Sequence, residues 1–482
     1  MRNHWLALIV ACLVCLLGSL APAQSSRIEN ADGLPSDAEI RKLLEDRIRA
    51  LAGDEDGIGI VVGVIGPQGR RVVAYGHRNQ GDAHVVDGST VFEIGSVTKV
   101  FTALLLAEMV EKGEVSLISP VSKYLPGGFR VPEHKGHPIT MADLATHTSG
   151  LPFMPAVVPV YQDPAAANTS KAELDDFLAH YELKTDPGAD WEYSNVGYWL
   201  LGEALASRAG LSYESLVRKR ILDPLRLTHT GFECSAEMKR QLATGHNAVL
   251  QPAPPFAAYS IYGAMPAAGG LLSTVDDMLT FLAATMRYDR SVLSASMDAT
   301  LRTRRPIEDG EEQALGWTLV GKGDGQFVMH DGFTWGYASA MAWDPHRRVG
   351  VVVLSNQLTG VSDIARHILQ PSTPLEHPSS AKHQEIAMDS ASLRRYVGEY
   401  EVPDEGVFRV QQENSFLTIQ VPVGWGLPKY RLRPETQRDF FVADLPIRVT
   451  FQFDEKGSVD GLLFYPPRGQ HALPAKRRGS AQ

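Results

Sequence analysis

Cysteine is scarce: the 482-residue chain has three. Two of them, Cys12 and Cys15, lie in an apolar run near the start, so a chain processed after that run keeps only Cys234 and can form no intrachain disulfide. Core burial then has to hold the fold, and a composition of 44% apolar and 21% charged residues is ordinary for that. The length suggests two or three domains. A long basic run is also missing, and the formal net charge is −10, which argues against a nucleic-acid partner. No second apolar stretch of spanning length follows Ala23, so no stable membrane insertion is expected once the leader is gone. There is no His-Glu-x-x-His, a single remaining cysteine cannot build a thiolate site, and His134-Lys-Gly-His137 falls in a Pro/Gly-rich loop. Neither metal nor cofactor is expected. No internal repeat is visible.

The chain starts with a positive charge at Arg2, an apolar run from Trp5 to Leu20, and Ala21-Pro22-Ala23 before polar sequence. That order reads as a cleaved secretory signal over residues 1–23 and implies a periplasmic or secreted protein. An uncleaved anchor is the plainer alternative. Ile9-Val10-Ala11-Cys12 looks like a lipobox, but apolar sequence continues well past Cys12. Residues 24–370 alternate short strand-like runs, such as Ile58 to Val64 and Arg71 to Tyr75, with helical patterns such as Val97 to Glu111, which suggests one large α/β domain. Residues 371–390 open on a Pro/Ser-dense stretch and read as a linker. Residues 391–482 show short alternating strands, among them Phe408 to Val410, Phe416 to Ile419, Val449 to Phe453 and Gly461 to Tyr465, and are expected to form a small all-β domain.

Three segments carry chemistry. In Phe92-Glu-Ile-Gly-Ser96-Val-Thr-Lys99, an apolar stripe at Phe101, Leu104, Leu105, Met109 and Val110 puts Ser96 at a helix start. Three residues is close to one helical turn, so the Lys99 amine reaches the Ser96 hydroxyl and can act on its proton. A Ser-x-x-Lys is expected about once or twice by chance in a chain this long. Here there are two, the other being Ser379 to Lys382 in the linker. Taken alone, Ser96 is as readily an N-cap as a nucleophile. The second segment, Trp191-Glu-Tyr193-Ser194-Asn195, holds the chain's one Tyr-x-Asn just before a helical pattern from Tyr198 to Leu205. A phenol beside an ammonium can hold a proton in transit, and Asn195 offers a donor and an acceptor to a substrate amide; the bland reading is a half-buried Tyr193 and a capping Asn195. The third is His330-Asp331-Gly332-Phe333, whose continuation through Met341 and Val351 to Asn356 reads as two neighbouring strands. Gly332 would let a substrate backbone approach, and the Phe333 N–H could join that of Ser96 as an oxyanion hole.

Ser-x-x-Lys, Tyr-x-Asn and His-x-Gly in this order resemble the active-site motifs of the serine β-lactamase and penicillin-binding protein superfamily, class C-like members in particular. Leu144-Ala-Thr-His-Thr-Ser-Gly-Leu-Pro152 and Ala268-Gly-Gly-Leu-Leu-Ser-Thr-Val-Asp-Asp277 are similar to segments that recur there. Both read as scaffolding: Ser273 with Asp276 as helix N-capping, Gly269-Gly270 as close backbone approach, and His147 as a structural loop histidine.

The resemblance implies an α/β (α+β) fold, a transpeptidase-like antiparallel sheet flanked by helices with a helical subdomain, and a lipocalin-like barrel at the C-terminus. It implies covalent catalysis by Ser96 with Lys99 and Tyr193 sharing the proton work, and substrate contacts from Asn195, His330, Gly332 and Phe333. No Glu-x-x-x-Asn of the class A type is present, so deacylation through Tyr193 is implied. The chain departs from the family's Lys-Thr-Gly at His330-Asp331-Gly332. A histidine is largely neutral at pH 7, and Asp331 beside it adds negative charge where a substrate carboxylate would bind. The substrate is then a β-lactam, a D-amino-acid peptide or a small ester. A penicillin-recognising binding or sensor protein with little turnover is the alternative reading.

Overall fold

The computed structural model describes residues 33–478 apart from 53–56, 82–83, 156–169, 248–249, 251, 254–263, 308–309, 359–360, 376–382, 403–405, 423–428, 443–446 and 466–471. The leader and the second Ser-x-x-Lys at Ser379 and Lys382 lie outside the described residues. Among the described residues no helix is long and apolar enough to cross a membrane.

The larger unit contains helix α1 (Asp37–Ala52), strands β1 (Gly59–Gly66), β2 (Gly69–Gly76) and β3 (Phe92–Glu93), and helix α2 (Thr98–Glu111). A hairpin of β4 (Glu133–His134) and β5 (His137–Pro138) follows, then helices α3 (Met141–Ala145), α4 (Lys171–His180) and α5 (Asn195–Ala209). Strands β6 (Leu272–Ser273), β7 (Arg305–Pro306), β8 (Glu312–Gln313), β9 (Thr318–Val320), β10 (Phe327–Phe333), β11 (Ala338–Asp344) and β12 (Val349–Ser355) complete it. Eight of these strands form one sheet in the order β2-β1-β12-β11-β10-β9-β8-β7, with antiparallel pairing throughout. The stretch from His330 to Asn356 is thus three consecutive strands rather than two, with β11 between the strand bearing His330 and β12.

The sheet is buried on both faces, and period-two alternation divides its side chains. Ile60, Val62, Val64, Met329, Ala340, Val351 and Val353 pack in one core with Ile40, Leu44 and Ile48 of α1 and with Ile364 and Ile368 of the helix Ser362–Leu369. Val61, Ile65, Val328, Met341, Val352 and Leu354 pack in the other with Phe101, Leu104 and Leu105 of α2 and Val196, Trp199 and Leu200 of α5. Because apolar cores cover both faces of the central strands, these read as apolar runs in spite of being antiparallel. Gly63 lets a helix pack close to β1: a Cβ there would sit 2.5 Å from Val275 Cγ1 on the helix Val275–Thr285. That helix is capped by Thr274, whose hydroxyl accepts from Asp277 N, one residue later than the Ser273/Asp276 cap expected from the sequence. Ser273 instead shares a hydrogen bond with Thr230.

The C-terminal unit is a closed barrel of eight strands in sequential order between Gly398 and Arg477. Its interior is filled by Tyr396, Tyr400, Phe408, Tyr430, Phe440, Phe451 and Phe464, as a barrel of this strand number allows. The residues before it are tied to its surface: His383 stacks on Phe441 with ring centroids 4.3 Å apart, and Ile386 N donates to Pro434 O.

Candidate active site

Ser96 lies in a single 3₁₀ turn, Gly95–Val97, that feeds into α2. Val97 occupies the N-cap of α2 and makes no side-chain cap bond, so the Ser96 hydroxyl is not used to cap the helix. It accepts instead from Lys99 Nζ at 3.0 Å. The turn starts at Gly95 with φ +49°, and a Cβ there would meet Phe333 N at 2.7 Å and Phe333 O at 2.5 Å. The end of β10 therefore presses against the residue before the serine, and Gly332 makes this possible: a Cβ on it would lie 2.2 Å from Ile94 O and 2.8 Å from Ser96 N. Ser339, the register partner of Gly332, donates to Ile94 O at 2.7 Å and pins the same peptide. The backbones of Ser96 and Phe333 are thereby brought together, while the Phe333 side chain packs on the opposite core.

Lys99 is fully buried, at 0% exposure. Besides Ser96 its amine donates to Asn195 Oδ1 at 2.8 Å and to Ala268 O at 2.6 Å. Each of these acceptors is neutral. The cation also faces two aromatic rings, with Nζ 4.9 Å from the centroid of Tyr193 and 5.5 Å from that of Tyr198. Burial, with Tyr193 adding to it, holds the Tyr198 phenol well above the ordinary tyrosine range, so Tyr198 stays neutral and donates to Ala145 O.

Tyr193 and Asn195 arrive from the segment ahead of α5. Ser194 is the N-cap, its hydroxyl accepting from Gly197 N at 2.8 Å, so Asn195 is the first helical residue and its side chain is released toward Lys99. Asn195 Nδ2 approaches Met154 Sδ at 3.5 Å. The Tyr193 ring is stacked on His147, centroids 4.2 Å apart and planes 25° from parallel, with Phe153 6.0 Å away. His147 Nδ1 accepts from Ser194 N at 3.0 Å, and its carbonyl from Glu192 N at 2.7 Å.

His330 and Gly332 share the sheet face that Val328 gives to the α2 core, whereas Asp331 alternates to the other face. Asp331 Oδ2 accepts from Ser362 Oγ at 2.7 Å, which corrects the expectation that this carboxylate adds its charge beside His330. The His330 ring is held by its own strand, with Nδ1 2.6 Å from Asp331 O.

Sequence reasoning missed the Ala268 carbonyl. It lies in the short helix Pro266–Gly269, and a main-chain acceptor carries no residue-type signal. His147, read from the sequence as a structural loop histidine, is hydrogen-bonded through Nδ1 and its carbonyl. His134 and His137, on β4 and β5, converge on Asp186 through Nδ1 contacts of 2.5 and 3.1 Å and fasten that hairpin to the loop leading to Tyr193. Among the described residues no group of three or more His, Cys, Asp or Glu side chains is arranged to hold a metal ion.

Comparison with known proteins places the fold that carries these residues. The protein-family model described as Beta-lactamase matches residues 44–371, and one described as a domain of unknown function, DUF3471, matches residues 382–476. The D-alanyl-D-alanine-carboxypeptidase/endopeptidase AmpH of Escherichia coli is 30% identical over 349 residues, 67% of this chain and 87% of its own. Penicillin-binding protein 4* of Bacillus subtilis is 26% identical over 427 residues, covering 84% of this chain and 92% of its own. Among solved structures, an octameric penicillin-binding protein homologue from Pyrococcus abyssi superposes with a TM-score of 0.60 at 22% identity, over 91% of this chain and 99% of that one. At these identities the structural likeness speaks for the fold, while the family match spans more than half of the chain. The chain belongs to the beta-lactamase family of serine hydrolases, carrying the family's antiparallel sheet between helices and an eight-stranded barrel at its C-terminus.

Proposed function

We propose that this chain is an exported serine hydrolase that passes an acyl group through Ser96. The observation that carries this reading is the 3.0 Å hydrogen bond from a fully buried Lys99 to Ser96 Oγ, completed by Asn195 and Ala268. In this reading the Lys99/Tyr193 pair enters as ammonium and phenolate: the ammonium draws the serine oxygen into place, and the phenolate oxygen takes the Ser96 proton as that oxygen attacks. The oxygen attacks a carbonyl carbon, and the N–H groups of Ser96 and Phe333 receive the oxyanion. Collapse expels the leaving group, which takes the proton back from Tyr193 and returns the pair to phenolate and ammonium. Water then gives its proton to the same pair, attacks the ester on Ser96, and releases the acid and the free serine.

The relatives named as beta-lactamase and D-alanyl-D-alanine carboxypeptidase support a β-lactam or a D-amino-acid peptide as substrate. His330 in place of a lysine adds small esters to that set, since its neutral form brings no fixed positive charge for a substrate carboxylate. Export rests on the leader-like order of residues 1–23.

The test is a substrate panel of a chromogenic cephalosporin, a nitrophenyl ester, a D-aminoacyl amide and a D-Ala-D-Ala peptide, run on wild type and Ser96→Ala. Turnover by wild type that is lost in the variant is the expected result. Stable labelling by a fluorescent penicillin with no turnover of any substrate would make the protein a binder instead.

A further inference from the structure

We propose that His147 is the positioning residue for Tyr193, holding it as a neutral imidazole through its main chain and its ring at once. The proposal rests on the reading of Tyr193 as the group that takes the Ser96 proton.

Helix α3 begins at a capping box, in which Thr140 accepts from Asp143 N and Asp143 accepts from Thr140 N, and it ends at Thr146. Thr146 Oγ1 donates back to Ala142 O, and Thr148 N donates to Asp143 O at 2.8 Å. Between these anchored threonines His147 takes φ +58°, a left-handed conformation that non-glycine residues adopt at a cost and keep only when their surroundings impose it. The twist turns both its carbonyl and its ring toward the segment that carries Tyr193. Glu192 N donates to the His147 carbonyl at 2.7 Å, and Ser194 N donates to Nδ1 at 3.0 Å. The residues on either side of Tyr193 are therefore bonded to the same histidine.

The third tie is the ring stack itself, at 4.2 Å between centroids and 25° between planes. Two hydrogen bonds fix the peptide, and the stack fixes the plane of the phenol that faces Lys99. Because Nδ1 accepts a backbone N–H, the imidazole carries its proton on Nε2 and brings no charge next to the buried ammonium. An alanine would supply the main-chain carbonyl but neither the acceptor nor the stacked ring. At 1% exposure His147 is walled off from solvent and acts through Tyr193, without touching a substrate.

The test uses the full chain. His147→Gly removes ring and acceptor while suiting the positive φ, and His147→Asn keeps an oxygen close to the Nδ1 position in a residue that tolerates left-handed backbone. In His147→Gly, kcat for a nitrophenyl ester is expected to fall by about 100-fold, the scale of a 1 Å misplacement of a reacting group, with KM within about twofold. His147→Asn is expected to recover at least about tenfold of that loss, since the acceptor returns. In a Tyr193→Phe background, itself slower by about 10²- to 10⁴-fold, His147→Gly should add less than about twofold, because the group it positions is already gone.

Three results would overturn the proposal: wild-type kcat in His147→Gly, a full further loss in the Tyr193→Phe background, or a loss carried by KM together with early melting. Wild-type kcat in Tyr193→Phe alone would instead refute the role given to Tyr193, so the two failures are told apart.

Discussion

Replacing Gly332 by alanine tests the idea that β10 is pressed against the nucleophile to build the oxyanion hole. The added Cβ would sit 2.2 Å from Ile94 O and 2.8 Å from Ser96 N. A carbon needs about 3.3 Å from a carbonyl oxygen, so strand and turn must part by about 1 Å. Neither side yields freely. Ile94 O is also bonded by Ser339 from β11, and its N–H donates to Leu271 O at 3.0 Å, so the peptide before Gly95 is held from two directions. β10 in turn is locked in register with β11 through six residue pairs.

Overpacking of this kind costs about 1–3 kcal/mol of stability, which a two-unit chain of this size survives. The catalytic cost is larger. The separation falls between the N–H groups of Ser96 and Phe333, and losing one donor of an oxyanion hole lowers kcat by about 10²- to 10³-fold. Steady-state hydrolysis of a nitrophenyl ester, read beside a thermal melt, should show that drop in a protein still folded at the assay temperature. Wild-type kcat in Gly332→Ala would refute the reasoning, since it would mean that the 2.2 Å contact can be relieved without moving either donor.

Other substitutions probe the same physics. Lys99→Met removes the cation while leaving Asn195 and Ala268 in place, and kcat should fall by about 10²- to 10⁴-fold in the ester assay with little change in KM. Arg47 and Asp363, each 5% exposed, form a buried ion pair between α1 and the helix Ser362–Leu369, with Arg47 Nη1 at 3.2 Å from Asp363 Oδ1. Arg47→Met should cost about 3–5 kcal/mol in urea unfolding by stranding the carboxylate, and adding Asp363→Leu should return most of it.

His246 gives a pH test. Burial, the largest influence, holds its imidazole below the ordinary histidine value, although hydrogen bonds to Asn356 and Thr244 act the other way. The unfolded chain then takes the proton first, so the stability this group contributes is present above about pH 6.5 and is lost as pH falls through the depressed folded value. His246→Gln should flatten the decline of unfolding free energy below that pH; an unchanged slope would assign the decline to other groups. Dialysis against a chelator should leave ester hydrolysis unchanged.

What the sequence determined by itself is local. The spacing of Ser96 and Lys99 sets both on one side of a helical turn, since three residues cover about 300° of an α-helix and about a full turn of a 3₁₀ helix. The apolar runs of β1 and β12 and the alternating strands of the barrel are likewise legible, because each follows from the pattern of its own element, whereas the cap of α5 falls on Ser194 rather than on Asn195.

Tertiary structure decided the rest, because the remaining relations join residues far apart in the chain through atoms that residue type does not reveal. The Ala268 carbonyl on Lys99 is main chain, 169 positions away. Asp331 leaves the site that its neighbour His330 occupies only because β10 is covered on both faces, so that alternate side chains meet different helices. His147 meets Tyr193 only because a left-handed turn after α3 aims its ring at a segment 46 residues further on. A one-dimensional pattern names the groups that can react; it takes the closed core to set the distance at which they meet.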